Sequence, residues 1–364
     1  MSLLRSLILL VLLSLLTLAG SAPTSAAGRW QTDGNPTPVL AYYYIWFDPG
    51  SWDRAKRDLP LLGAYSSDDV DVMRQHIRWA KSAGIDGFIV SWKATDQLNP
   101  RLASLAAIAE QESFWLIIIY QGLDFERRPL PVDQILSDLA YFDETYGQHP
   151  AFQLFGRPTV IWSGTWEFSN EEISRVAGAY GEPFDLIASE QQVDAFSEIA
   201  HLVDGNAYYW SSADPLSTPG YEAKLQAMAE AVHKHGGLWI APAAPGFDAR
   251  LIGGARVIER RGGETLRAAV DAARASSPDA IGLISWNEFS ENSHIEPSQN
   301  FDDQSLIVLA DLLSGTLPDL PDFDSSEPAD TLAAPELGRL APLAFLALIL
   351  GGSLALIAGR RGRP

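Results

Sequence analysis

The 364-residue chain contains no cysteine, which excludes a disulfide framework, a thiolate nucleophile and cysteine-based zinc sites. Positive charge is scarce: 26 Lys and Arg stand against 46 Asp and Glu, a formal net charge of −20. Nucleic-acid affinity rests largely on a basic surface that neutralises phosphates, so no nucleic-acid partner is expected. Histidine is sparse, with 6 in the chain. His233 and His235 are two apart near the end of an expected helix, where their rings face different directions. No metal site and no cofactor are expected. Apolar residues are plentiful at 47%, against 20% charged. That is far from the composition of a disordered chain and implies a large core.

Both ends differ from the middle. Residues 1–27 combine Arg5, an apolar run from Leu7 and the small-residue stretches Gly20-Ser21-Ala22 and Ser25-Ala26-Ala27, the pattern of a secretory signal peptide. Residues 340–359 are 20 residues without a charge, flanked by Arg339 and by a basic tail, 360–364, with Arg360, Arg361 and Arg363. About 20 apolar residues cross about 30 Å of hydrocarbon, and the basic tail directs the C-terminus to the cytoplasm. Pro335-Glu336 ahead of that run also resembles bacterial sorting tails that are later removed. Residues 316–339 are rich in Pro, Asp and Ser and read as a solvated linker. The expectation is one domain over 28–315, exported and tethered by a C-terminal transmembrane helix to the outer face of the cytoplasmic membrane or the cell surface. The oligomeric state is not legible.

Within 28–315, short β-branched or aromatic runs alternate with helical patterns, which argues for parallel strands with helical crossovers. Strands are expected at 39–47, 87–92, 114–120, 158–163, 184–189, 203–210, 238–243 and 280–288. Helices are expected near 69–82, 100–112, 132–146, 170–179, 192–200, 219–235, 264–275 and 302–313. Eight such pairs match a single (β/α)8 TIM barrel. A doubly wound sheet is the alternative, but no Gly-rich phosphate fingerprint follows the first strand.

In a barrel the chemistry sits where strands end and loops begin. The expected strand ends carry Tyr44 and Trp46, Trp92, Tyr120, Tyr209 and Trp210, and Trp286 with Asn287. Rings with polar edges offer flat apolar faces and hydrogen-bond partners together, as a sugar requires. An oligosaccharide or polysaccharide substrate is therefore expected, although individual rings could equally fill the core. At the end of the eighth strand stand Glu288 and, three residues on, Glu291. Glycoside cleavage uses two carboxyls, and mutual repulsion with burial holds one of them protonated. Asp248 and Arg250, after the seventh strand, either touch substrate or form an ion pair that shapes the loop.

The stretch Trp286 to Glu296, WNEFSENSHIE, resembles the WNEWxEGxxIEP signature of glycoside hydrolase family 99, the endo-α-mannosidase and endo-α-mannanase family. Segments at His76 with 83–92, at 149–158 and at 245–250 resemble the family in the same order. The resemblance implies metal-free, retaining endo-hydrolysis of an α-linked mannoside. Carried over by position, Glu288 is the base on the sugar's 2-hydroxyl, giving a 1,2-anhydro intermediate, and Glu291 the acid/base at the glycosidic oxygen. Asn287 and Trp286 shape the site, and His294 and Glu296 complete the motif. The chain departs from the pattern at Asn292, usually glycine, and at His294, usually glutamine. It also has no acid near the third strand's end before Asp124. The related family 71, acting on α-1,3-glucan, is a substrate alternative. A glycosyl-transferring enzyme of surface polysaccharide assembly and a non-catalytic carbohydrate-binding barrel are the functional alternatives.

Overall fold

The computed structural model describes residues 37–316. The expected signal segment 1–27, the apolar run 340–359 and its basic tail lie outside the described residues. Among those described, no helix is long and apolar enough to cross a membrane.

Eight parallel strands close into a barrel: β1 Val39–Tyr44, β2 Gly87–Trp92, β3 Trp115–Gln121, β4 Thr159–Ser163, β5 Asp185–Ala188, β6 Gly205–Ala207, β7 Leu238–Ala243 and β10 Ala280–Leu283, in the order β1-β10-β7-β6-β5-β4-β3-β2. A two-stranded antiparallel ribbon, β8 Phe247–Asp248 with β9 Val257–Ile258, stands in the loop after β7. Eight α-helices lie between or after the barrel strands: α1 Val70–Ser82, α2 Leu98–Gln111, α3 Val132–Tyr146, α4 Asn170–Tyr180, α5 Val193–Ile199, α6 Tyr221–Lys234, α7 Glu264–Ala275 and α8 Gln304–Leu313. The local sequence starts several of them. Asp69 accepts from the amides of Asp71 and Val72 at the head of α1, and Ser169 with Glu172 closes a capping box on α4, each satisfying amides that a helix leaves free.

Side chains alternate across each strand. Leu40, Tyr42, Ile89, Ile117, Ile161, Ile187 and Ile240 fill the barrel. Tyr43, Phe88, Val90, Leu116, Val160 and Trp239 pack outward beneath the helices. Gly282 belongs to the inner set, where an added Cβ would lie 3.0 Å from Tyr42 Cε2. Three strands end three or more residues earlier than the sequence suggests. β1 stops at Tyr44 instead of 47, β6 keeps only Gly205–Ala207, and β10 stops at Leu283 instead of 288. After β10 the amides of Ile284 and Trp286 still reach Ala243 O and Tyr42 O of the neighbouring strands, while Ser285 N donates to Ser293 O and Ile295 N to Ser285 O within the loop. The motif thus forms a loop folded on itself at the mouth.

At the opposite end, three aspartates that immediately precede strands repeat one device. Asp86 N donates to Val39 O (2.8 Å) while Asp86 Oδ2 accepts from Val39 N (2.8 Å). Asp204 does the same with Leu186, and Asp279 with Trp239. Each carboxylate takes the place of the backbone carbonyl that the first or second amide of the neighbouring strand would otherwise lack.

Candidate active site

The loop 284–298 spans the mouth, and its own bonds fix it. Glu288 N donates to Ser285 Oγ (2.8 Å), Ser290 N to Glu288 Oε1 (2.9 Å) and Ser293 N to Glu288 O (3.2 Å). Asn292 sits at φ 51°, in the left-handed region that glycine enters freely and asparagine tolerates. This conformation gives a physical reason why asparagine can replace the motif's usual glycine. Arg260 reaches the Asn292 carbonyl at 3.0 Å, and Asp248 N donates to the Glu291 carbonyl at 2.7 Å.

Both glutamates are buried, at 5% and 2% exposure. Burial pushes the Glu288 carboxyl up to about 7, against the restraint of the Ser290 amide and of Lys56. Glu291 is held well above the ordinary carboxylate range by burial and then by the charge of Glu288, with Arg127 opposing. Its Oε2 has no hydrogen-bond partner among the described residues. Tyr44 and Tyr209 share a hydroxyl–hydroxyl bond of 2.9 Å. Burial raises both phenols well above their usual range, and the charges of Glu288 and Glu291 add to the effect. Two carboxyls and two phenols therefore form one electrostatic group.

The mouth opens as two adjoining recesses. One is lined by Trp46, Phe47, Lys56, Gln97, Glu288 and Ser290. The other is lined by Tyr44, Ile119, Gln121, Trp166, Gln191 and Tyr209. Tyr44 links them, its ring stacked on Trp46 at 4.3 Å.

The remaining expected site residues divide by strand parity. Tyr44 and Tyr209 face inward and Trp46 faces the recess, whereas Trp92, Tyr120, Trp210 and Trp286 correct the expectation of sugar contact. Trp92 is fully buried against Tyr120 and Phe142, and the Tyr120 hydroxyl donates to Asp138 of α3 at 2.9 Å. Trp210 stacks on Tyr221 of α6 at 4.7 Å, and Trp286 is buried between His76 and Phe88. Trp92 and Tyr120 occupy the outward parity of their strands and Trp210 follows from that of β6, whereas Trp286 shares the spacing of the inner residues Gly282 and Ile284 and is carried to the outer layer by the turn of the loop after β10. Arg250 and Asp248 form an ion pair at 2.5 Å with Asp248 buried, so this pair shapes the loop beside Glu291.

The motif's last members also lie behind the recess. Glu296 accepts from the Tyr65 hydroxyl (2.9 Å) and bonds His76 Nε2 (3.1 Å), while His76 Nδ1 meets the Tyr43 hydroxyl at 3.0 Å. Asn287 exchanges bonds with the backbone of Tyr44 and donates to the Tyr65 hydroxyl at 3.3 Å. This network ties the loop to β1 and α1. His294 is fully buried, stacked on Phe289 and bonded to Asp58 at 3.1 Å. Burial, with the charge of Arg260, lowers it to about 4, so it is neutral at ordinary pH. The sequence reading missed Tyr65, Lys56, Asp58, Arg127 and Arg260. They lie in irregular loops or away from the motif, without periodicity to mark them. Among the described residues no group of three or more His, Asp or Glu could hold a metal ion.

Among curated proteins, the chain is 28% identical to a mouse (Mus musculus) glycoprotein endo-α-1,2-mannosidase-like protein over 36% of this chain, and it spans 38% of that protein's length. Two structures of a family 99 endo-α-mannosidase from Bacteroides thetaiotaomicron, one with bis-tris-propane, superpose with TM-scores of 0.68 and 0.66 at 22% and 21% identity, each covering 77% of this chain and 97% of that one. A glycoside hydrolase-like protein superposes with a TM-score of 0.56 at 15% identity, over 79% and 98%. At these identities the structures show the shared barrel. The sequence profile of Glycosyl hydrolase family 99 matches residues 48–309, well over half of the chain, from the loop after β1 into α8, and the chain belongs to that family.

Proposed function

We propose that the protein is a retaining glycoside hydrolase that cleaves internal α-mannosidic linkages, with Glu288 as base and Glu291 as acid/base. The observation that carries the reading is the pair of buried, mutually repelling carboxyls at the mouth of a barrel whose recess is walled by Trp46, Tyr44 and Tyr209. Groups whose environments separate their proton affinities divide the acid and base roles. Glu291, held well above the ordinary carboxylate range by burial and the charge of Glu288, is the one of the pair suited to give a proton to the departing glycosidic oxygen. Glu288, ionised near neutrality, can take the proton of the sugar's 2-hydroxyl as that oxygen attacks C1. The resulting 1,2-anhydro sugar is opened at C1 by water, which loses its proton to Glu291 while O2 recovers one from Glu288. Two inversions at C1 give net retention.

Incubation of the purified protein with α-mannans and α-glucans tests this. Release of oligosaccharides from a mannan, α-configured at first appearance by NMR and lost in Glu291→Gln, is the expected result. Release from α-1,3-glucan alone would reassign the substrate, and cleavage of a 2-deoxy analogue would remove the anhydro route. On the sequence pattern of residues 1–27 and 340–359, we also propose export and tethering to the outer face of the cytoplasmic membrane. A mature N-terminus beyond residue 20 in the membrane fraction would support this; an intact Met1 in the cytosol would refute it.

A further inference from the structure

The two glutamates are held in different ways. Glu288 is fixed by its own loop, through the Ser285 hydroxyl and the Ser290 amide. Glu291 is buried, and its Oε2 has no hydrogen-bond partner among the described residues, so at that oxygen only backbone and packing place it. The two carbonyls that bracket this backbone are held from the segment after β7. The Asp248 amide donates to the Glu291 carbonyl at 2.7 Å, and Arg260 Nη2 donates to the Asn292 carbonyl at 3.0 Å. Asp248 belongs to the β8–β9 ribbon and Arg260 follows it closely. The ribbon has a small apolar core of its own, Phe247, Ala249 and Ile258, and the Arg260 stem passes so near that a Cβ on Gly246 would lie 2.9 Å from its Cγ. Two further contacts fix the guanidinium: Nη1 donates to Ser305 Oγ of α8 at 3.3 Å, and its carbon lies 4.1 Å from the centre of the Phe301 ring. Burial pushes Arg260 down to about 9, with Asp58 opposing. It therefore stays charged at neutral pH, and its bond to the Asn292 carbonyl is charge-assisted.

We infer that Arg260 is a positioning residue for Glu291: by tying the Asn292 carbonyl to the ribbon and to α8, it keeps the acid/base aimed at the glycosidic oxygen while Glu288 depends on its own loop. The charges that act on Glu291 are those of Glu288 and Arg127, so Arg260 works through geometry and not through its field. Displacing a reacting group by about 1 Å can cost about a hundredfold in rate, which makes one held carbonyl beside Glu291 sufficient to matter. The inference rests on the hydrolase reading above and adds to it a residue outside the strand-eight motif.

The full chain and its Arg260→Met and Arg260→Lys variants are compared on two substrates, an α-mannan and α-mannobiosyl fluoride. Fluoride departs without a proton, and kcat/KM reports events up to that departure, so the fluoride needs the base but not the acid. Arg260→Met is expected to lower kcat/KM about tenfold or more on the mannan and less than about threefold on the fluoride. Glu291→Gln should show the same split more strongly, whereas Glu288→Gln should lose both. Arg260→Lys, which can still donate to the Asn292 carbonyl, is expected to recover most of the loss. Equal losses on the two substrates, or no loss on either, overturn the inference and leave the hydrolase reading standing. If Arg260→Met does not fold, Phe301→Leu carries the test, because it removes the ring against the guanidinium and leaves the charge in place. A smaller loss confined to the mannan is then expected, and equal losses or none overturn the inference. If the wild type cleaves neither substrate, the mannosidase reading fails, and NMR titration of the Glu291 carboxyl carbon, identified by its absence in Glu291→Gln, decides in whichever variant folds. A fall toward the ordinary carboxylate range supports positioning, since loss of a positive charge alone would raise it; an unchanged or raised value overturns it.

Discussion

Burying Glu288 and Glu291 side by side destabilises the fold in a pH-dependent way that glutamine would not. In the folded protein the Glu288 carboxyl lies at about 7, above its ordinary 4.5, so between those values the folded state holds more protons than the unfolded one. Stability therefore falls as pH rises through that window, by about 3 kcal/mol at Glu288 once above pH 7. Glu291, raised by burial and by the charge of Glu288, contributes to the fall in the same direction. Glu288→Gln keeps an oxygen for the Ser290 amide and is expected to melt higher than wild type at pH 8, with the advantage gone at pH 4. Melting curves across that range check it, and a gap independent of pH would contradict it. The same ionisation should shape catalysis: kcat/KM rises towards pH 7 as Glu288 becomes available as a base, with an apparent value belonging to the coupled pair. Tyr65 acts one layer back. Tyr65→Phe removes the donor to Glu296 and the acceptor for Asn287, which should cost about 1–3 kcal/mol and lower kcat with little change in KM. An unchanged kcat would show that the network supports the loop without setting its geometry.

Strand parity explains which aromatic residues the sequence placed correctly at the mouth and which it did not. Tyr42 and Tyr44 share one face of β1 while Tyr43 takes the other, a period-two pattern that was available in the sequence. The position of a ring near a strand's end, however, does not say which face it takes. Eight strands, their order of alternation with helices and the segment carrying both glutamates were legible, because hydrophobic periodicity and a compact motif are local signals. The early ends of β1 and β10 were not, because they depend on Ser285, Ser293 and Ile295 bonding within their own loop and on the Asn287 side chain taking up the backbone of Tyr44. Two variants separate the faces. Trp92→Ala, in the layer under α3, should lose about 3–5 kcal/mol of stability while folded molecules keep their kcat/KM. Trp46→Ala, at the recess, should leave the melting temperature nearly unchanged and lower kcat/KM about tenfold or more through lost ring contact. Exchange of the two phenotypes would reverse the assignment of faces.

Acids at the two ends of the barrel have opposite physical consequences, and this polarity could not be read from a count of 46 carboxylates. At the mouth, Glu288 and Glu291 are held against their preferred ionisation. At the floor, Asp86, Asp204 and Asp279 each close a reciprocal pair with the first or second residue of a neighbouring strand. Their sequence signal is only an aspartate one position before a small residue that opens a strand, Asp86-Gly87, Asp204-Gly205 and Asp279-Ala280. The pairing partners are 18 to 47 residues away, so the device appears only when the barrel closes. Replacing a floor aspartate by alanine leaves a strand amide without its acceptor, at about 1–3 kcal/mol each. Because Asp86 and Asp204 serve different strand pairs, the double variant should be close to the sum of the singles. Its melting temperature should fall, and kcat/KM measured well below that temperature should match wild type. Glu288→Gln should do the reverse, melting higher at pH 8 while losing activity. Calorimetry and kinetics on both variants at that pH test the polarity directly. A floor variant that loses activity while still fully folded would show that the two ends are coupled through the strands, not divided between stability and chemistry.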